Sequence, residues 1–139
     1  YIVNCRFVPA HYRYPYRGVR YTMFSAQRLG FLGSGNMAEA LMRGVLEKGL
    51  WPKEAITASD VSPERLSAVG GRLGIKTTAD NREVVTASDM IIVAVKPAQV
   101  PEVLSEIADA VSPDTLIVSL AAVGVLLNVS TYRRVERAL

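Results

Sequence analysis

Residues 33–38 read Gly-Ser-Gly-Asn-Met-Ala. Two glycines one residue apart, with an alanine three further on, suit the cradling of a pyrophosphate. Gly33 permits a tight turn after an extended run. Gly35 lets the backbone approach phosphate with no Cβ in the way, and Ala38 lets the following helix lie close to the strand. The helix start then offers the backbone N–H groups of Ser34, Asn36 and Met37 and the positive end of the helix dipole. Met37 also reads as a plain core residue. Asp60 stands at about the spacing expected of an acid that accepts hydrogen bonds from an adenosine ribose. Such a carboxylate suits the 2′-hydroxyl of NAD and repels the 2′-phosphate of NADP unless a cation compensates, and Arg65 and Arg82 are the candidates. Asp60 reads equally as a turn residue before a helix. Asn81 reads as a contact to the adenosine end or as a helix N-cap. Lys96, followed by Pro97, reads as a neighbour of a nicotinamide or diphosphate, or as a solvated loop lysine.

Groups for other chemistries are scarce. His11 is the only histidine and Cys5 the only cysteine. There is thus no Ser/His/Asp set, no Cys/His pair, no internal disulfide and no ligand spacing for a metal. The catalytic residues are not identifiable from the sequence. Hydride transfer needs position above all, since the cofactor carries the reactive atom.

The elements that must position these residues alternate as strand and helix. Residues 29–32 form a buried strand ahead of the glycine turn. A helix follows, with Met37, Ala38, Leu41, Met42, Val45 and Leu46 at apolar spacing and Gly49 near its end. Residues 55–59 make a second strand. Ser62 is placed to cap the next helix, with Pro63 at its first position. Residues 75–78 make a short third strand, and Asp80 or Asn81 caps a short helix through Ala87. Residues 90–95 are six apolar residues, the composition of a central parallel strand covered on both faces. The next helix buries Val103, Leu104, Ile107, Ala108 and Val111, and residues 115–120 make a fifth strand. This rhythm predicts an α/β fold, a Rossmann-like doubly wound parallel sheet, present as the cofactor-binding domain only. Gly33, Asp60, Asn81, Lys96 and Ala121-Ala122 then all follow strand ends, and meet on the one sheet edge where ligands bind.

Three zones are expected. Residues 1–28 hold five arginines, no acid and five of the six tyrosines, and read as an unstructured leader. Residues 29–122 are the dinucleotide-binding domain, and residues 123–139 break the rhythm. Removing the five leader charges from the formal net charge of +3 leaves −2. The body is therefore not built to neutralise nucleic-acid phosphates. The longest apolar run, residues 116–127, is too short to span a bilayer. The expected location is cytoplasmic, with the Arg-rich leader suiting organelle targeting as the alternative.

Gly30-Phe31-Leu32-Gly33-Ser34-Gly35-Asn36-Met37-Ala38-Glu39-Ala40 resembles the opening of pyrroline-5-carboxylate reductases. So do Ala58-Ser59-Asp60, Asp80-Asn81-Arg82-Glu83, Ala94-Val95-Lys96-Pro97 and Val118-Ser119-Leu120-Ala121-Ala122, in order and spacing. The resemblance implies NADP(H), or alternatively NAD(H), as cofactor, a small-molecule substrate in the full-length enzyme, and homo-oligomeric assembly. It implies that Leu32, Gly33, Ser34, Gly35, Asn36, Met37, Asp60, Asn81, Ala94, Val95, Lys96, Pro97, Leu120, Ala121 and Ala122 line the cofactor site. It ceases after Ala122, where Val123 interrupts the family pattern. The chain therefore reads as a fragment of such an enzyme, expected to show negligible turnover alone. The alternatives are a non-catalytic dinucleotide-binding module and a hydroxyisobutyrate-dehydrogenase-like reductase.

Overall fold

The computed structural model describes residues 27–120. Residues 1–26 of the basic opening segment, Ala121, Ala122 and the 123–139 stretch lie outside the described residues. Strand β1, Leu29–Leu32, is buried along its whole length. It is followed by helix α1 (Asn36–Glu47), β2 (Ile56–Ser59), α2 (Pro63–Leu73), β3 (Lys76–Thr78) and α3 (Asn81–Thr86). Strand β4 (Met90–Val93), helix α4 (Val100–Ile107) and β5 (Leu116–Ser119) complete the alternation. The sheet order is β3-β2-β1-β4-β5, with every neighbouring pair parallel. The chain winds outward from β1 to β3, then crosses back over β1 to build β4 and β5. That reversal leaves a crevice between the carboxyl ends of β1 and β4.

Successive strand residues point to opposite faces, so each central strand feeds two cores. Leu29, Phe31 and Ile92 join Ala38, Met42 and Val45 of α1 and Val69 of α2 on one face. Leu32, Ile91 and Val93 join Val84 and Val85 of α3 and Val103, Leu104 and Ile107 of α4 on the other. The helix starts follow the sequence cues. Ser62 Oγ accepts the Arg65 N–H at 3.2 Å, and Asp80 Oδ1 accepts the Arg82 N–H at 2.8 Å. Asp80 is therefore the cap, and Asn81 is the first helical residue of α3.

Helix α1 corrects one expectation. Its core stripe is Ala38, Met42 and Val45, whereas Met37 is 67% exposed and Leu41 36%. Each stands one residue, about 100°, before the stripe and so faces outward. Met37 is thus not a core residue. Glu39 is buried instead, with its carboxylate 3.1 Å from Arg43 Nη2 on the same helix and 2.8 Å from Arg72 Nη2 on α2.

Candidate functional site

Past their formal ends the strands remain laced together. The Gly33 N–H donates to the Ser59 carbonyl at 3.0 Å, Ala94 N–H to Leu32 O at 2.8 Å, and Leu120 N–H to Val93 O at 2.9 Å. Leu32, Gly33, Ala94, Val95 and Leu120 are thereby brought to one sheet edge, beside Asp60 at the end of β2.

The glycines differ in what surrounds them. Gly33 has φ +94°, outside the range that side chains readily adopt. A methyl on it would also lie 2.9 Å from the Ala94 carbonyl oxygen. Gly33 is thus a requirement of the fold. Gly35 has an ordinary extended backbone, and a methyl there would meet no atom within 4 Å. Its bare face is turned to open space, where a ligand could approach the backbone. Ala38 is fully buried, as close packing of α1 on β1 requires. The N–H groups of Gly35, Asn36, Met37 and Ala38 take no acceptor among the described residues, and no side chain caps α1. This is a helix N-terminus left open to an anion. Those residues fit the pyrophosphate of a dinucleotide.

Around this opening the polar side chains are held by specific partners. Asp60 Oδ2 accepts the Ser34 N–H at 2.8 Å and the Ser34 hydroxyl at 2.9 Å, and Oδ1 accepts the Ser62 N–H at 3.0 Å. Burial alone would raise this carboxyl, but the donors from Ser34 and Ser62 prevail and hold it below the ordinary aspartate value. Arg65 Nη2 donates to Asn36 Oδ1 at 2.8 Å, which keeps a cation beside the start of α1. Arg82 is directed elsewhere. It donates to both carboxylate oxygens of Asp109, at 2.7 and 3.0 Å, and to the Glu106 carbonyl at 3.0 Å. Of the two candidate cations, only Arg65 stands at the glycine turn.

The Asn81 amide is tied on both sides. Its Oδ1 accepts the Ser59 hydroxyl at 2.6 Å, and its Nδ2 donates to Glu106 Oε2 at 2.9 Å. Lys96 and Pro97 are exposed after β4. The Lys96 N–H donates to Gln99 Oε1 at 3.3 Å, and the Gln99 N–H returns to Lys96 O at 2.9 Å, fixing a short 3₁₀ turn, Pro97–Gln99. Sequence reasoning missed Ser59 and Glu106. Ser59 ends a strand immediately before the candidate Asp60, a signal that was present. Glu106 lies 25 residues from Asn81, and nothing local marks it.

Comparison with known proteins gives a consistent picture. The family model described as NADP oxidoreductase, coenzyme F420-dependent, matches residues 28–123. A pyrroline-5-carboxylate reductase from Methanosarcina acetivorans is 42% identical over 106 residues, covering 76% of this chain and 38% of that protein. The solved structure of a pyrroline-5-carboxylate reductase from Coxiella burnetii matches with a TM-score of 0.65 at 32% identity, over 68% of this chain and 35% of that one. The pyrroline carboxylate reductase of Plasmodium falciparum, solved with NADP bound, matches with a TM-score of 0.58 at 28% identity, over 68% of this chain and 33% of that one. The chain thus spans little more than a third of the length of the relatives it matches.

Proposed function

The chain belongs to the NADP oxidoreductase, coenzyme F420-dependent family, and from that premise we propose that it forms the dinucleotide-binding part of a pyrroline-5-carboxylate reductase. The observation that carries the reading is the open face of Gly35 beside the unfilled N–H groups of α1, in a segment shared with reductases of that name. When bound, the nicotinamide dinucleotide supplies the hydride. This chain's part is to bind and orient it. Backbone N–H groups from Gly35 to Ala38 receive the pyrophosphate, and the α1 dipole adds to their attraction. The exposed Lys96-Pro97 turn at the end of β4 borders the crevice on its far side. Leu120, Ala121 and Ala122 are proposed to complete that wall. Asn81, held by Ser59 and Glu106, is proposed to keep the adenosine end in register.

The reading extends to NADP(H) in preference to NAD(H). Arg65 supports it, since its guanidinium stands by Asn36 and carries no carboxylate partner among the described residues. A 2′-phosphate suits a planar guanidinium fork well. Titration of both cofactors tests this. NADPH is expected to bind more tightly than NADH, and Arg65→Ala to weaken NADPH by about tenfold with little change for NADH, the loss of one charge-assisted contact. Equal binding of both cofactors by the unaltered chain would contradict the preference. For the reaction itself, residues 28–120 can replace the matching segment of the Methanosarcina acetivorans relative. A folded chimera that reduces pyrroline-5-carboxylate supports the proposal, and a folded chimera that binds cofactor without turnover counts against it.

A further inference from the structure

We infer that Asp60 acts on the cofactor site as a positioning residue, bracing the glycine turn through Ser34, and does not read the ribose 2′-hydroxyl. The inference rests on the dinucleotide reading above and assigns a role within that site.

An ionised carboxylate has about four acceptor positions. Three of those on Asp60 are taken: two by Ser34, at 2.8 and 2.9 Å, and one by the Ser62 N–H at 3.0 Å. Ser34 is fully buried, and its hydroxyl hydrogen and its N–H are both spent on the same oxygen. It is the one residue between the two glycines. Gly33 is already tied to the Ser59 carbonyl, so both residues that precede Gly35 are anchored to the end of β2. The anchoring leaves the N–H of Gly35 as the first free donor and fixes its direction. A turn containing two glycines would otherwise lose much conformational freedom on binding. Asp60 and Ser62 thus hold the turn in its binding shape before a ligand arrives. Loss of the brace would weaken every ligand that uses the turn, whatever stands at the 2′ position.

The two roles for Asp60 predict opposite results. Binding of ADP and of 2′-deoxy-ADP to the full chain is measured first. The brace predicts equal affinity, whereas a carboxylate reading the 2′-hydroxyl predicts at least about tenfold weaker binding of the deoxy form, as for a lost hydrogen bond to a charged group. Asp60→Asn and Ser34→Ala are then titrated with NADH and NADPH. Each is expected to weaken both cofactors alike, by about three- to tenfold, with the double variant no weaker than the worse single one. Opposite shifts for NADH and NADPH in Asp60→Asn, or additive losses in the double variant, would overturn the inference. Exchange of the Ser34 amide hydrogen needs no ligand. Protection in the native chain that is lost in Asp60→Asn supports the brace, and equal exchange in both chains overturns it. Should no nucleotide bind at all, the dinucleotide reading fails, and the exchange result still decides whether the brace exists.

Discussion

Gly33 and Gly35 stand two residues apart, yet replacing them is expected to do different things. Gly33→Ala forces a side chain onto φ +94° and drives a methyl toward the Ala94 carbonyl. It should cost at least about 2 kcal/mol of stability, combining backbone strain with a clash against main chain that cannot move away. Gly35→Ala meets nothing within 4 Å and should cost at most about 1 kcal/mol, the difference between glycine and alanine at an N-cap. Its effect should fall on dinucleotide affinity. Denaturant unfolding of both variants, paired with cofactor titration, checks the contrast. The strained turn at Gly33 and the open approach at Gly35 were legible in the sequence because the fingerprint encodes backbone geometry. The engagement of Asp60 was not. Its spacing marks an acid at the end of β2, but whether that acid faces a ribose or the turn depends on a serine 26 residues away.

At the scale of elements, α1 and α2 are joined through one buried acid. Glu39 is buried between Arg43 on its own helix and Arg72 on α2, whose side chains remain about half exposed. Glu39→Ala should destabilise by about 1–2 kcal/mol, between an exposed pair and a fully buried one. Part of that loss should vanish at high salt, and a urea titration at two ionic strengths measures it. Periodicity identified the helix but drew its apolar face too wide. Met37 and Leu41 satisfy helical spacing, yet the core stripe runs through Ala38, Met42 and Val45, with Leu46 packed against it. The acid at position 39 was invisible as a core residue, because Arg43 is a local partner but Arg72 is brought to it only by the packing of α2 on α1. Strands β1, β4 and β5 were legible because parallel strands covered on both faces are apolar without alternation. The edge strand β3, Lys-Thr-Thr, lacks that run and was legible only from its place in the alternation. The predicted range of β1 matches, those of β2 and β3 ran one residue long at their starts, and that of β5 ran one long at each end. That of β4 ran two past its end, where ladder pairing gives way to the turn before Lys96.

For the whole molecule, several carboxylates tie distant parts of the chain together. Asp89 accepts from the Arg28 side chain and from the backbone of Gln27 and Arg28, fixing the start of β1 to that of β4. The Arg28 hydrogen bond, first among these, holds Asp89 below the ordinary aspartate value. Asp60 is lowered by its donors as well, and Glu83 chiefly by Lys76. A carboxylate with a depressed folded value stabilises above its unfolded value and loses that contribution as pH falls through the folded one. The melting temperature should therefore hold near neutrality and fall as pH drops below the ordinary carboxylate values, with a shallower fall in Asp89→Asn. The doubly wound order was legible from the alternation of strand and helix, and the two-sided core followed from it. Among the described residues no helix is long and apolar enough to cross a membrane. Residues 1–26 and the stretch from Ala121 lie outside the described residues. The expectations placed on them stand as proposals, as does the substrate, because the matched relatives extend well beyond the shared segment.

The central claim is that the glycine turn and the start of α1 form a working dinucleotide site. Titration of NADPH and NADH against the 139-residue chain and its Gly35→Val variant tests it most directly. The account predicts saturable binding, with a Kd well below about 1 mM for NADPH, that is lost in the variant while the fold survives. Absence of binding by either cofactor in that range, or equal binding by the variant, would contradict it.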